Sequence, residues 1–90
     1  MIRSFNFVII SYNNRMDTML LHRSLNKFGV NNVIVPTPNQ ISSNCGLSIK
    51  SKYNNLSRVL SIIKAQRLSN NYKVYGEESR FDGTKYIRLN

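Results

Sequence analysis

The residue best suited to covalent chemistry in this chain is its single cysteine, Cys45. Because there is no second cysteine, Cys45 cannot form a disulfide within the chain, and one thiol is too few for a structural zinc site. It lies in a segment rich in Pro, Asn and Ser, and Gly46, with its permissive backbone, follows it directly. A buried structural cysteine usually lies inside an apolar run. Cys45 is therefore a candidate nucleophile, and the alternative is a small apolar plug at the start of a strand.

The other reactive residue types form no catalytic or metal-binding motif. His22 is the only histidine and has no cysteine or acid at ligand spacing, so we expect a surface or boundary residue and no metal site. Glu77 and Glu78 are adjacent and would point to opposite faces of a strand. A glycine-rich phosphate-binding loop is also lacking, so we expect no cofactor. Whether the chain is an enzyme stays open, and the pattern favours a carrier or binding protein.

The elements that position Cys45 follow the order β-α-β-β-α-β, with one further strand at the end. Apolar and alternating patterns predict strands at 5–12, 30–36, 46–52, 72–76 and 85–89. Helical periodicity predicts one helix from the Asn13-Asn14 cap to Gly29, and a second over 56–68 capped by Asn54 or Asn55. An Asp82-Gly83 turn precedes the last strand. The order predicts one α+β domain over residues 1–90 with the ferredoxin-like fold, a mainly antiparallel sheet with both helices on one face.

This topology places the cysteine loop near the start of the first helix. The loop between the second and third strands lies at the same end of the sheet as that helix N-terminus. We therefore expect Asn14 and Arg15 near Cys45. Backbone N–H groups, the positive end of the helix dipole and the Arg15 charge would favour a reactive thiolate there.

The run from Thr37 to Leu47 resembles the DUF3343 family of small bacterial proteins, also described as putative Se/S carrier-like proteins. The family motif reads roughly Pro-Arg-Glu-Ile/Leu-Ser-Ser-x-Cys-Gly between the second and third strands, and the corresponding piece here is 42–46. Asn39-Gln40 stands where the family commonly has Arg-Glu, and the chain after Gly76 extends beyond the family pattern. The resemblance covers most of the chain and implies the ferredoxin-like fold.

The resemblance also implies a function, namely that Cys45 carries sulfur or selenium between a donor protein and an acceptor protein. The thiol would hold the cargo as a persulfide or selenosulfide. Gly46 would leave the cargo approachable, and the N–H groups of Ser43, Asn44 and Gly46 would cradle its negative charge. Ser42 and Ser43 would orient the loop, although ordinary turn chemistry is the simpler explanation for each serine.

The charge of the chain supports a second hypothesis, a nucleic-acid-binding module. The net charge is +9, from 13 Lys and Arg against 4 acids, and nine of the basic residues lie in 46–90. Ferredoxin-like sheets bind RNA through outward aromatic residues on the central strands. The candidates are Phe5, Phe7 and Tyr12 on the first strand and Tyr53 at the end of the third. The third strand lacks an aromatic cluster, and a solvated basic surface without an anionic partner explains the charge equally well.

A third hypothesis is an interaction or regulatory subunit, including a homodimer formed through an exposed sheet edge. For location, a lone cysteine indicates a reducing compartment, most simply the cytoplasm. The first residues lack the apolar core of a signal peptide, and no segment approaches the length of a membrane span. We therefore expect a cytoplasmic protein with no membrane contact.

Overall fold

The structure, a computed structural model, describes residues 5–41 and 45–90, which form a five-stranded sheet and two helices. The elements are β1 (Phe7–Tyr12), α1 (Arg15–Lys27), β2 (Val33–Pro36), β3 (Leu47–Lys52), a 3-10 turn (Tyr53–Asn55), α2 (Leu56–Ala65), β4 (Tyr72–Arg80) and β5 (Gly83–Arg88). The strand order is β2-β3-β1-β4-β5, and each neighbouring pair is antiparallel. The predicted ferredoxin-like α+β fold with an added C-terminal strand is confirmed.

The core lies between one face of the sheet and both helices. Alternate residues of β1 point to that face, because side chains in a strand alternate between its two sides. The members of this core are Val8, Ile10 and Tyr12 of β1, Leu21 and Leu25 of α1, Val59 and Ile63 of α2, and Val30, Ile49 and Val74. Ile9 points to the opposite face, which carries no helix and is called the open face below, and it is also buried. β1 is thus apolar on both sides, as a central strand should be.

Helix α1 begins and ends where the sequence predicts. The Asn14 side-chain oxygen accepts a hydrogen bond from the Asp17 N–H at 2.8 Å, which is the expected N-cap. Gly29 follows the helix with a φ of 72°. Its N–H donates to the Asn26 carbonyl, and the Val30 N–H donates to the Leu25 carbonyl. These two bonds form a Schellman motif, which requires the left-handed conformation that glycine adopts without strain.

The prediction that an asparagine side chain caps the N-terminus of α2 is wrong. Asn55 is the N-cap residue directly before Leu56, but its side chain makes no capping bond. Its amide donates instead to the Ser51 hydroxyl at 3.3 Å. The 3-10 turn before α2 already gives Asn55 a nearly helical backbone, with φ −87° and ψ −4°, whereas a capping side chain needs an extended one.

Strand β4 is longer than its pattern predicts and runs through Gly76 to Arg80, because β5 pairs with it from Tyr75 to Arg80. Gly76 does not end the strand. A Cβ atom there would lie 2.6 Å from the ring of Phe5, so glycine is needed to let that ring approach the backbone. In the part of the chain that the structure describes, no helix has the length and apolar character needed to cross a membrane.

Candidate functional site

Cys45 lines a cavity of about 430 Å³ where the loop before β3 meets the start of α1. The lining residues are Asn13, Asn14, Arg15, Cys45, Gly46 and Leu47. They meet because β1 and β3 are antiparallel neighbours, so the last residues of β1 lie beside the first residues of β3. Helix α1 starts directly after β1 at that end of the sheet. The structure thus brings together four residues of the predicted set: Asn14, Arg15, Cys45 and Gly46. The other three, Ser42, Ser43 and Asn44, lie outside the described residues.

The thiol is mostly buried, and it contacts a polar residue that the sequence did not single out. Only 7% of Cys45 is exposed, and its sulfur lies 3.8 Å from the hydroxyl oxygen of Thr18. The Thr18 hydroxyl donates to the Asn14 carbonyl at 3.1 Å, which leaves its lone pairs available to the thiol proton. If the thiol ionises, the same hydroxyl can rotate and donate to the thiolate instead. Thr18 therefore offers a partner to both forms of the sulfur.

The position of Thr18 on α1 explains why it contacts the thiol. Thr18, Leu21 and Leu25 are the buried residues of the helix and follow one another at helical spacing. The sequence signal that could have identified Thr18 was a hydroxyl residue within the apolar stripe of α1, one turn after the N-cap. Periodicity identifies the buried face but not the residue of a distant loop that packs against it.

Thr37 fixes the backbone around the thiol from the other side. Its N–H donates to the Gly46 carbonyl at 2.9 Å, and its hydroxyl donates to the Cys45 carbonyl at 3.1 Å. The Thr37 oxygen also lies 2.8 Å from the hydroxyl of Ser48, which is fully buried and can donate to it. Three hydrogen bonds thus join Thr37, the residue directly after β2, to the segment that contains Cys45 and the start of β3. Thr37 is a positioning residue for Cys45.

The departure from the family motif falls on an exposed turn. The Ile41 N–H donates to the Pro38 carbonyl at 2.9 Å and closes a turn whose central residues are Asn39 and Gln40. Both central residues are exposed, whereas Ile41 is 4% exposed and anchors the turn. The altered residues therefore change the surface of the loop and leave its anchor in place.

The charges near the thiol partly oppose one another. Arg15 lines the cavity and is exposed. Asp17 is held at the start of α1 by Asn14, whose amide donates to the carboxylate at 2.8 Å. The positive end of the helix dipole and Arg15 favour an anion here, and the Asp17 carboxylate reduces that effect.

Tyr12 closes β1 directly before the cavity. Its hydroxyl donates to the Ser69 carbonyl at 2.8 Å, and its ring packs edge-on against Tyr72. Burial raises the pKa of the Tyr12 phenol far above its ordinary value, and the nearby charges of Asp17 and Tyr72 add to the shift. Tyr12 therefore stays a protonated donor and ties the strand end to the segment that follows α2.

His22 and the acids of β4 have structural partners. His22 Nδ1 lies 2.7 Å from the Asn32 side-chain oxygen, and its Nε2 lies 3.2 Å from the Asn26 amide. Glu77 is bound by Lys50 at 3.0 Å and by the Tyr86 hydroxyl at 3.0 Å. Over residues 5–41 and 45–90, no three residues of the types His, Cys, Asp and Glu are grouped to hold a metal ion.

The open face presents one of the four aromatic residues proposed for nucleic-acid binding. Phe7 lies there, with the Lys50 ammonium 4.5 Å from its ring centre. Tyr12 points into the helix-side core, and Phe5 packs against Gly76 on the same side. Tyr53 lies in the 3-10 turn. For Phe5 and Tyr12 an outward position is wrong, because both are buried. Tyr12 belongs to the core between sheet and helices, and the Phe5 ring packs against Gly76 and Tyr53.

A larger cavity, of about 650 Å³, lies at the end of α2. Its lining residues include Leu60, Ile63, Leu68 and Tyr72, together with the basic residues Lys64 and Arg67. Cys45, Thr18 and Thr37 do not line this cavity. The candidate chemistry of the chain therefore belongs to the smaller cavity beside α1.

Together, fold and site define a small ferredoxin-like protein with one cysteine buried against the first turn of its first helix. Residues 7–74 match the protein family described as Putative Se/S carrier protein-like, and the chain belongs to that family. The match includes Cys45 and ends within β4, so the rest of the β4–β5 hairpin lies outside it. No curated protein and no solved structure matches the chain.

Proposed function

We propose that this protein carries sulfur or selenium as a persulfide or selenosulfide on Cys45. The description of its family supports a carrier in general terms. The observation that carries the proposal is the cavity of about 430 Å³, in which Cys45 lies beside Arg15 and the capped start of α1. A sulfur bound to the thiol would extend into this space. A cytoplasmic location belongs to the same proposal, since reducing conditions keep a lone thiol available.

Loading of the cargo is a thiol exchange that needs no oxidant. The Cys45 thiolate attacks the terminal sulfur of a donor persulfide and forms a new S–S bond with it. The S–S bond of the donor breaks, and the donor cysteine leaves with the electron pair as a thiolate. One proton leaves the Cys45 thiol, and one is taken up by the departing donor. Selenium would follow the same course, with the terminal selenium as the attacked atom.

Unloading reverses the roles of the two sulfur atoms. A nucleophile on the acceptor attacks the terminal sulfur, and Cys45 becomes the leaving group. A stabilised thiolate leaves more readily, so the Thr18 hydroxyl and Arg15 would assist this step as well. Among the residues that the structure describes, none lies within 4 Å of the position that a Cβ at Gly46 would take, which favours the approach of an acceptor to the backbone next to the thiol.

The proposal is tested by mass spectrometry of the intact protein after incubation with a cysteine desulfurase and free cysteine. We expect one adduct of about 32 Da on the wild-type chain, or about 80 Da when selenocysteine replaces cysteine and the enzyme releases selenium. The Cys45→Ser variant should gain neither adduct. A wild-type protein that acquires no adduct, from this enzyme or from glutathione persulfide, would contradict the carrier function.

A further inference from the structure

Helix α1 has a second apolar face that the core does not use. Thr18, Leu21 and Leu25 point into the core. Met16, Met19 and Leu20 lie on the other side of the helix at helical spacing and are 72%, 36% and 41% exposed. A surface helix normally keeps charged or polar residues on its outer face. Contiguous exposed apolar residues bordered by polar ones are typical of a protein interaction site.

This second face is bordered by positive charge. Together with Arg15 and Arg23, the three apolar residues line a depression of about 460 Å³, and none of its lining residues is acidic. We call these five residues the α1 surface. Arg15 lines both the α1 surface and the thiol cavity, so the two adjoin at this residue. A protein bound to the α1 surface would therefore have its own reactive group within reach of Cys45.

We propose that the α1 surface binds the protein that delivers the cargo, and that this donor presents an apolar patch bordered by carboxylates. The inference rests on the proposed carrier function. Carboxylates on the donor would pair with Arg15 and Arg23 and speed the encounter of the two proteins. Methionine side chains are flexible and adapt to differently shaped partners, which suits a surface that must bind a donor and release it.

A second copy of this chain fits the surface poorly. In a symmetric dimer the same patch meets itself, so Arg15 and Arg23 of one chain would face the arginines of the other. Like charges placed opposite each other across an interface disfavour the pairing. The charge pattern thus selects an acidic partner over self-association.

The test compares a protein donor with a small donor. A persulfide-bearing cysteine desulfurase is the protein donor, and glutathione persulfide is the small one. Met16→Glu, Leu20→Glu and Arg23→Glu should each slow loading by the desulfurase about tenfold or more. Loading by glutathione persulfide should stay within about twofold of wild type, because that reagent needs no docking surface. Phe81→Glu is the matched control, since Phe81 is a fully exposed aromatic residue far along the chain in the β4–β5 turn.

The outcomes separate the two proposals. Unchanged desulfurase rates in the three variants would overturn the docking surface, and so would an equal loss with Phe81→Glu. The docking surface would also be overturned if the wild-type protein accepted sulfur from glutathione persulfide but not from the desulfurase. A further contrary result would be a wild-type dimer, detected by light scattering, that Leu20→Glu dissociates. Failure with both donors would instead overturn the carrier function itself.

Discussion

The sulfur of Cys45 lies 3.8 Å from the hydroxyl oxygen of Thr18, and Thr18 is fully buried in the first turn of α1. The thiol is therefore buried, with 7% of the residue exposed, and it has a polar contact on its helix side. It is covered on the helix side by a hydroxyl that can accept from the thiol or donate to the thiolate. It also lines the cavity through which a donor would reach it.

Thr18→Val should lower the reactivity of Cys45 without unfolding the protein. Valine keeps the shape of threonine but cannot donate a hydrogen bond to the thiolate, so alkylation by iodoacetamide at neutral pH should slow about three- to tenfold. Stability should change by about 1 kcal/mol or less, because the apolar replacement suits a fully buried position. Thr84→Val, at an exposed position in β5, is the matched control and should alkylate at the wild-type rate. Equal rates in all three proteins would show that the Thr18 contact has no chemical role.

Thr37→Val should destabilise the fold by about 1–2 kcal/mol, measured by urea denaturation. The substitution removes the bond to the Cys45 carbonyl and deprives the buried Ser48 hydroxyl of its partner. Ser48→Ala, added to Thr37→Val, should recover part of the loss because it removes the hydroxyl left without a partner. Wild-type stability of Thr37→Val would contradict a positioning role for this residue.

Gly76→Ala should destabilise the protein by about 1–3 kcal/mol because the added methyl group overlaps the ring of Phe5. Gly46→Ala is the control, since its Cβ would meet no atom of residues 5–41 and 45–90 within 4 Å and its φ is not in the left-handed range. Combining Gly76→Ala with Phe5→Leu should cost less than the sum of the two single changes. Full additivity would show that the overlap is relieved elsewhere.

The residues that follow the C-terminal ends of α1 and α2, Gly29 and Arg67, both have a left-handed backbone. Replacing the glycine and introducing a glycine should therefore change the free energy of unfolding in opposite directions. Arg67 has a φ of 54°, and the bonds from the N–H groups of Arg67 and Leu68 to the Lys64 and Ile63 carbonyls form the same motif that Gly29 forms after α1. Arg67→Gly should therefore raise the free energy of unfolding by about 0.5–1 kcal/mol, and Gly29→Ala should lower it by about 1 kcal/mol. Destabilisation by Arg67→Gly would indicate that the arginine side chain contributes more than its backbone strain costs.

Alkaline pH should weaken the fold through Tyr12. Its pKa is raised in the folded protein by burial, whereas in the unfolded chain the phenol ionises near pH ~10. Below that pH both states keep the proton and the contribution to stability is constant. Above it the unfolded chain loses the proton first, so the free energy of unfolding falls as pH rises. Thermal melts of wild type and Tyr12→Phe between pH 8 and about 11 measure this, and the variant should show the smaller decline. Equal declines would contradict a raised pKa for Tyr12.

The sequence predicted the frame of the site better than its contacts. The order of strands and helices was sufficient to predict the ferredoxin-like fold, and that topology was sufficient to place Cys45 near the start of α1. The partners of the thiol were not predictable. Thr18 and Thr37 are 27 and 8 residues from Cys45 along the chain, and both meet it only through tertiary packing.

The errors in element bounds have local physical causes. The polar run after Gly76 looks like a loop but forms the second half of β4, because β5 pairs with it. Within this run Glu77 forms an ion pair with Lys50 and accepts a hydrogen bond from the Tyr86 hydroxyl. The predicted side-chain cap of α2 is absent because a 3-10 turn precedes that helix and sets the backbone of Asn55. Neither a distant pairing partner nor a preceding turn is visible in the local pattern of residues.

Passage of one labelled sulfur atom through Cys45 tests the carrier function most directly. The protein is loaded with radioactive sulfur from a persulfide donor, freed from that donor, and mixed with a low-molecular-weight thiol acceptor. We expect the label to leave the protein in stoichiometric amount, to appear on the acceptor, and to be absent throughout from Cys45→Ser. A label that never binds the wild-type protein, or that stays on it in the presence of acceptor, would contradict the account.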